Sequence, residues 1–527
     1  MNQEKDQDLV HHLAKQGVDD KMVMGHPASL FVLFFTEMWE RFSYYGMRAL
    51  LTVFLITEIV KGGWGWTNAD AMELYAWYTG LVYLTPLIGG MIADKLTGYR
   101  KAILWGALIM TLGHASMALE GTSQSFFYLG LVLMILGNGM FKPNISSMVG
   151  QLYPDTSAKK DAGYTIFYMG INSGAFLGML LCGYIGEKVG WHYGFGLAGV
   201  FMFFGMVQFY FAQKIFGVIG EKPGTVHKEE EHVHNIQEED NTPKNIVKDR
   251  LVVVAVLMIA SIFFFFAFEQ AGGSMTIFAK NYTQRVLEGN SGEIFKWVDA
   301  ALTIFPILIV TWVLFKLSQQ IFSKYPLTVI FTAISFAIIW ALGVWKVNRE
   351  FSVENTEVTV SWFQILNSFF IITLASSFSK LWEKVWNPSG PVKFAFGLIL
   401  VAVGFLALAY GSMSIPSGAQ TASVSMIWLI LAYFFHTTGE LCVSPVGLSY
   451  VSKLSPKKLA GLLFGLWFTA SAIANFIAGM TGSYIDQIAE KYSMSTFFLI
   501  IAALPIFVAL LLLIFNNKLK KMMHGIH

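Results

Sequence analysis

Read for polarity alone, the chain alternates between long apolar stretches and short polar connections. The apolar runs fall at 28–59, 70–96, 101–120, 124–152, 161–188 and 193–216, and again at 251–279, 298–322, 325–346, 361–385, 391–412, 424–447, 459–484 and 494–516. A helix rises about 1.5 Å per residue, so about 20 residues cross a hydrocarbon core of about 30 Å. The pattern therefore predicts six membrane helices, a break, and about eight more. The break at 217–250 contains EKPGTVHKEEEHVHNIQEEDNTPKNIVKDR, whose acidic run and prolines suit a linker and not a span. The expected organisation is a polar N-terminal tail (1–27), a six-helix bundle (28–216), a cytoplasmic linker (217–250), a C-terminal bundle (251–516) and a polar C-terminal tail (517–527).

Composition narrows the class. Hydrophobic residues make up 55% of the 527, and charged residues only 13%, about half the share usual in a soluble domain. The chain reads as an all-α polytopic membrane protein with the lipid bilayer around it. A formal net charge of +2 gives no reason to expect a nucleic-acid partner. Cys182 and Cys442 lie in apolar segments and read as small buried hydrophobes, not as a disulfide framework or a metal site. Residues 1–27 lack the apolar core and cleavage site of a secretory signal, so the first span is expected to act as the insertion signal, with nothing cleaved.

Basic residues set the expected sidedness, because Lys and Arg stay on the cytoplasmic face. Lys95, Arg100 and Lys101 follow the second span, Lys159 and Lys160 the fourth, and Lys222, Lys228, Lys244, Lys248 and Arg250 fill the linker. Lys380, Lys384, Lys453, Lys457, Lys458, Lys518, Lys520 and Lys521 continue the alternation, whereas 413–423 carries no Lys or Arg. Both termini are expected in the cytoplasm, in a multi-pass protein of the plasma membrane.

Against this apolar background the intramembrane charges stand out. The first span carries Glu37, Glu40, Arg41 and Arg48. Each ionised group facing lipid at mid-membrane would cost about 2.5–3.5 kcal/mol, so the set must face protein or water. Glu37, Arg41, Tyr44 and Arg48 follow at spacings of four, three and four and share one helical stripe, with Glu40 and Tyr45 beside it. Elsewhere the spans carry Lys142, Glu269 and Glu440, with His114 and His436 as weaker candidates. Taken singly, each charge could snorkel or form a structural ion pair. With one helix pair set aside as an insertion, however, the charged helices open four successive three-helix units, the layout of a transporter built from repeats. His436, four residues before Glu440, reads as a packed side chain or as a proton relay. Gly90 reads as a close-packing glycine, and Pro143 and Pro445 as kinks serving either gating or packing.

These residues resemble a known family. Glu37-x-x-Glu40-Arg41-Phe42-x-Tyr44-Tyr45-Gly46 is similar to the signature of the proton-dependent oligopeptide transporters, the peptide branch of the major facilitator superfamily. Gly90–Lys101 resembles the superfamily's loop motif, and Phe141–Ser146 and Phe167–Gly174 resemble the family's fourth and fifth helices. Phe268–Ala271, Trp362–Asn367, Gly439–Ser449 and Gly465-x-Trp467-Phe468 continue the likeness in the second half. It implies the major facilitator fold, two six-helix bundles plus one extra helix pair. The matches place that pair at 298–346, between helices seven and eight, where a position outside the twelve-helix core is expected. Two departures stand out: Ala76 occupies the place of a histidine in mammalian relatives, and Ser368 that of a proline in many relatives. Without the histidine, coupling must rest on carboxylates.

A short peptide is a zwitterion, and both charge types are available to hold it. Arg41, Arg48 and Lys142 suit its carboxylate, Arg41 through its planar fork, and Glu440 suits its ammonium. The resemblance implies the same polarity, with Asn172 and Asn367 joining Glu440 toward the amino end and backbone. It further implies pockets from Tyr44, Tyr45, Tyr83, Tyr168, Phe266, Ser444, Trp467 and Phe468, and a gating pair of Arg48 and Glu269. Coupling is expected at Glu37, Glu40, Arg41 and Glu269: a carboxylate beside Arg41 stays ionised until substrate competes for the guanidinium, and then takes a proton. The expectation is a proton-coupled symporter that imports di- and tripeptides, and peptide-like drugs, by alternating access. It needs no cofactor beyond the coupling proton and functions as a monomer. Nitrate or another small solute is the alternative cargo, disfavoured because Glu440 would repel an anion. No His-Glu-x-x-His pair or Gly-x-Ser-x-Gly elbow supports an enzyme, and the linker is too short for a catalytic domain.

Overall fold

Each apolar run folds as a helix whose ends lie close to the change in polarity. The computed structural model describes residues 2–154, 157, 159–222, 243–456 and 459–526. Most of the expected linker, with Lys228, lies outside the described residues, as do Lys457 and Lys458. After α1 (Asn2–Lys15) come α2 (Ala28–Ile56), α3 (Asn68–Ile92), α4 (Tyr99–Met117), α5 (Gln124–Gln151), α6 (Lys159–Lys188) and α7 (Trp191–Phe211). The second half holds α8 (Lys244–Phe268), α9 (Ser274–Asn281), α10 (Gly289–Ile321), α11 (Pro326–Ser352), α12 (Trp362–Lys380) and α13 (Gly390–Gly411). It ends with α14 (Ile427–Leu454), α15 (Ala460–Gly482), α16 (Ile485–Lys491) and α17 (Met494–Met522). A short hairpin, β1–β2 (Met22–Val23, His26–Pro27), and an antiparallel strand pair that brackets α10–α11, β3–β4 (Val286–Leu287, Thr356–Glu357), are also present.

Among the described residues, 12 helical segments are long and apolar enough to cross a membrane. The charged α2, 29 residues, and α4, 19 residues and opening on Tyr99-Arg100-Lys101, bring the spans to the expected number. One span is interrupted along its length by a tighter turn. The α-helical pattern of α8 gives way at Glu269–Gly272 to a tighter turn before α9 resumes it. A break in the α-helical pattern at membrane depth is tolerated where protein surrounds it, and Glu269, Gln270 and Gly272 are buried.

Contacts group the described residues of Met1–Leu50, Thr85–Glu229 and Val286–Ile365 into one unit, and those of Leu51–Leu84, Glu230–Arg285 and Leu366–His527 into another. The inserted pair α10–α11 is thus grouped with helices of the first half.

Within the first unit, glycines decide which helices touch. Gly170, Gly174 and Gly178 form a stripe on α6 at every fourth residue, the small-residue spacing by which membrane helices approach. A methyl on Gly174 would lie 2.1 Å from the Met38 carbonyl oxygen, and one on Gly178 2.2 Å from that of Phe42. The stripe therefore brings α6 onto α2. On α3 the close approach belongs to Gly89, where a methyl would come 2.0 Å from the Gly139 oxygen. Gly90, expected to be the packing glycine, has nothing nearer than Pro143 at 4.0 Å. The neighbouring residue is turned about 100° around the helix, so one position decides which face meets α5.

The segment expected as an N-terminal tail is folded. Leu9 and Leu13 of α1 are buried, and Val218 donates its N–H to the Gln16 carbonyl at 2.9 Å. In the second unit, His436 is packed: its ring lies 4.6 Å from that of Phe405 and fills the space beside Gly404. His114 is likewise buried, against Gly199. Cys182 and Cys442 are free and buried.

Candidate substrate and proton site

The polar stripe of α2 is buried in the first unit. Glu37, Glu40 and Arg41 are each 2% exposed or less. Glu37 and Arg41 lie one turn apart, and Glu40 precedes Arg41 directly, so both carboxylates reach one guanidinium. Arg41 Nε lies 2.8 Å from Glu37 Oε1 and 2.5 Å from Glu40 Oε2. Removing one partner from such a group would leave buried charge uncompensated, at a cost of about 3–5 kcal/mol.

Helix α5 completes this cluster. Asn138 Nδ2 donates to Glu40 Oε1 at 3.0 Å, and Asn138 is 1% exposed. Lys142, one turn further along, acts electrostatically on both Glu37 and Glu40. Two acids and one base are thus buried together, with the half-buried Lys142 within electrostatic reach of both acids. Along α2, the Arg41 guanidinium sits over the Tyr44 ring at 5.6 Å and that of Arg48 over Tyr45 at 6.0 Å, while the two tyrosine rings meet edge to face at 5.0 Å. Asn172 on α6 is buried, and its Nδ2 donates to the Tyr168 carbonyl at 3.0 Å. The Tyr168 side chain is exposed.

The second unit holds the other acids. Asn367 Nδ2 on α12 donates to Glu440 Oε2 on α14 at 3.0 Å and to Thr437 Oγ1 at 3.1 Å, and Thr437 passes its own hydrogen to the Tyr433 carbonyl at 2.7 Å. Thr437 thereby fixes the amide that holds Glu440. Glu269, buried where α8 ends, acts on Glu440 as a like charge. Phe266 is buried nearby in sequence, whereas Tyr83 and Ser444 are half-buried and Phe468 is exposed. Trp467 is buried over Gly447, where a methyl would come 2.3 Å from its ring, and stands edge-on to Phe394 at 6.5 Å.

Two residues of this arrangement escape a reading of the sequence by charge: Asn138 and Thr437. A search for neutral polar residues one turn from each intramembrane charge finds both, since Asn138 precedes Lys142 by four positions and Thr437 precedes Glu440 by three.

The sequence profile described as the POT family matches residues 100–235 and 328–500. The chain is 34% identical to the uncharacterized transporter YclF of Bacillus subtilis (strain 168), over 97% of this chain and 98% of that one. It is 31% identical to the di-/tripeptide transporter of Lactococcus lactis subsp. cremoris, over 96% and 98%. Its structure matches that of a peptide transporter POT in complex with sulfate at 29% identity and a TM-score of 0.74, covering 99% of both chains.

Proposed function

Because this chain belongs to the POT family of membrane transporters, we propose that it is a proton-coupled symporter importing di- and tripeptides by alternating access. The family transports peptides and is not a family of enzymes. The observation that carries the proposal is the sharing of one buried guanidinium, Arg41, by Glu37 and Glu40.

A peptide carboxylate that engages Arg41, helped by Arg48 and Lys142, competes with those two acids for the same donors. The acid that loses its partner is left as buried, uncompensated charge and takes a proton to relieve it. Substrate and proton then load together. The peptide's ammonium is assigned to Glu440, with Asn367 and Asn172 for the polar groups near it. Arg48 and Glu269 are assigned to gating. Cargo with a positive end is favoured over a simple anion, which Glu440 and Glu269 would repel. The Lys and Arg pattern favours both termini in the cytoplasm, and the bacterial relatives favour the inner membrane of a bacterium.

The test is uptake into proteoliposomes under an imposed inward proton gradient, comparing dialanine, trialanine, tetraalanine and nitrate. Driven uptake of the first two is expected. In Glu40→Gln that uptake should vanish while counterflow of labelled dialanine persists. Undiminished driven uptake in Glu40→Gln would remove the coupling role, and uptake of none of the four solutes by the unaltered protein would remove the transport reading.

A further inference from the structure

The inserted pair α10–α11 is fastened to the first unit at three levels. Toward the β3–β4 strand pair, Lys346 pairs with Asp299 and donates to Thr303 Oγ1 at 3.2 Å, with its ammonium 5.1 Å from the centre of the Tyr184 ring on α6. Tyr184 Oη donates in turn to Glu350 Oε1, and Arg349 donates to the Lys188 carbonyl at 2.9 Å. At the opposite end, Lys324 and Tyr325 donate to Asp19 Oδ2 at 2.6 and 3.1 Å. Burial pushes the Asp19 carboxyl up, but the hydrogen bonds from Lys324, the Lys21 N–H and Tyr325 outweigh it and hold the group below its ordinary range.

The middle level reaches the helix of the acid–base stripe. Thr332 on α11 shares its hydroxyl hydrogen between Gln208 Oε1 and the Thr328 carbonyl; Gln208 Nε2 on α7 donates to Thr36 Oγ1 at 3.1 Å, and Thr36 donates to the Val32 carbonyl at 2.7 Å. Beside this chain of bonds, the Phe336 ring of α11 meets Phe35 edge-on at 5.6 Å and Trp39 at 5.4 Å. With successive residues turned about 100°, Phe35 and Trp39 point roughly opposite to Glu37, Arg41, Tyr44 and Arg48. The inserted pair packs the back of α2, whose front carries the charges.

That placement has a mechanical consequence. In a membrane no hydrophobic force orients one helix against another, so polar rungs and shape decide how a helix is turned. A rotation of about 20° would carry a carboxylate roughly 6 Å from the helix axis through about 2 Å. Glu37, Glu40 and Arg41 would turn together, but Glu40 would leave Asn138 on α5, which is 3.0 Å away.

We propose that α10–α11 is a positioning brace for α2: Thr332, Gln208 and Phe336 set its rotation and so hold Glu40 in register with Asn138 and Lys142. The functional part of this inference rests on the coupling role proposed above for Glu40, whereas the brace itself does not. Thr332, Gln208 and Phe336 are positioning residues and touch no cargo.

The test uses the full chain in proteoliposomes with Thr332→Val, Gln208→Leu, Phe336→Ala and Thr332→Ser. For Thr332→Val and Gln208→Leu, the maximal rate of proton-driven peptide uptake should fall about tenfold, with KM within about twofold and counterflow lowered no more than about threefold. Thr332→Ser, which keeps the hydroxyl, should restore the unaltered rate. Hydrogen exchange read by mass spectrometry should show faster exchange across residues 28–45 in Thr332→Val/Phe336→Ala, with α4 unchanged. Equal losses in driven uptake and counterflow, or a Thr332→Ser no better than Thr332→Val, would reduce these residues to general support and overturn the positioning role. Unchanged exchange at 28–45 would overturn the brace. If the unaltered protein moves no peptide, the transport reading fails, and the exchange measurement still decides the brace.

Discussion

At the scale of single residues, the candidate site divides into charges that are easy to read and neutral groups that are not. Glu37, Glu40, Arg41, Lys142, Glu269 and Glu440 announce themselves because an unexplained charge in an apolar run is too costly to be incidental. Asn138 and Thr437 escape because they carry no charge to set them apart from the other Ser, Thr and Asn residues along the spans, and a hydroxyl can satisfy itself on its own backbone, as Thr437 does on Tyr433. Their partners depend on which helices adjoin, and that is a tertiary fact. Their expected roles differ. Asn138→Leu removes the neutral donor from Glu40 and should depress driven uptake about tenfold to a hundredfold, in keeping with the roughly 1.5–3 kcal/mol of a hydrogen bond to a charged group. Thr437→Val leaves Glu440 intact but frees the Asn367 amide, so it should raise the peptide KM about threefold to tenfold with the maximal rate unchanged. Initial-rate kinetics on dialanine separate the two; matching losses in both parameters for both variants would show that neither has the role assigned.

At the scale of elements, hydropathy gave the helices, while their faces had to be seen. Spans such as 391–412 and α13, or 124–152 and α5, agree within a residue or two, because helix ends follow the change in polarity. Which glycine makes a contact is a finer matter, since Gly89 and Gly90 are equivalent by composition and differ only in direction. That difference supports a stability test. Gly174→Ala places a methyl 2.1 Å from the Met38 carbonyl oxygen, a backbone atom that cannot swing aside, and α6 must lift from α2. Gly90→Ala meets nothing closer than 4.0 Å. Overpacking of the first kind costs about 1–3 kcal/mol, so Gly174→Ala should lower the unfolding midpoint in detergent by several degrees and Gly90→Ala should leave it unchanged or raised. The same shift in both would show that the contact between α6 and α2 is looser than described.

At the scale of the whole molecule, the membrane class and number of spans follow from the sequence because both are sums over many residues. The association of α10–α11 with the first unit does not, because it depends on a few side chains such as Asp299, Lys346 and Thr332 whose partners are remote in sequence. Lys346 alone reads as a cation near a helix end. The property that tests the molecule as a transporter is its choice of cargo. If Arg41 takes the peptide carboxylate and Glu440 the ammonium, a peptide with its amino end blocked leaves Glu440 without a counter-charge, and one with its carboxyl end blocked has nothing with which to draw Arg41 from Glu37 and Glu40. Sites that hydrogen-bond a group reject analogues lacking it by about 10⁴-fold or more, far more than they reject a missing methylene. N-acetyl-dialanine and dialanine amide should therefore each be taken up at least about a hundredfold more slowly than dialanine, an expectation set below that limit because water can enter in place of the missing group. The sharper expectation concerns Glu440→Gln. It should relax the rejection of N-acetyl-dialanine about tenfold or more while leaving that of dialanine amide as it was, because only the ammonium's partner has lost its charge. Competition against labelled dialanine in counterflow measures both ratios without involving the proton. A variant that relaxed both rejections equally would mean that Glu440 shapes the site as a whole, and the assignment of the ammonium to it would fall.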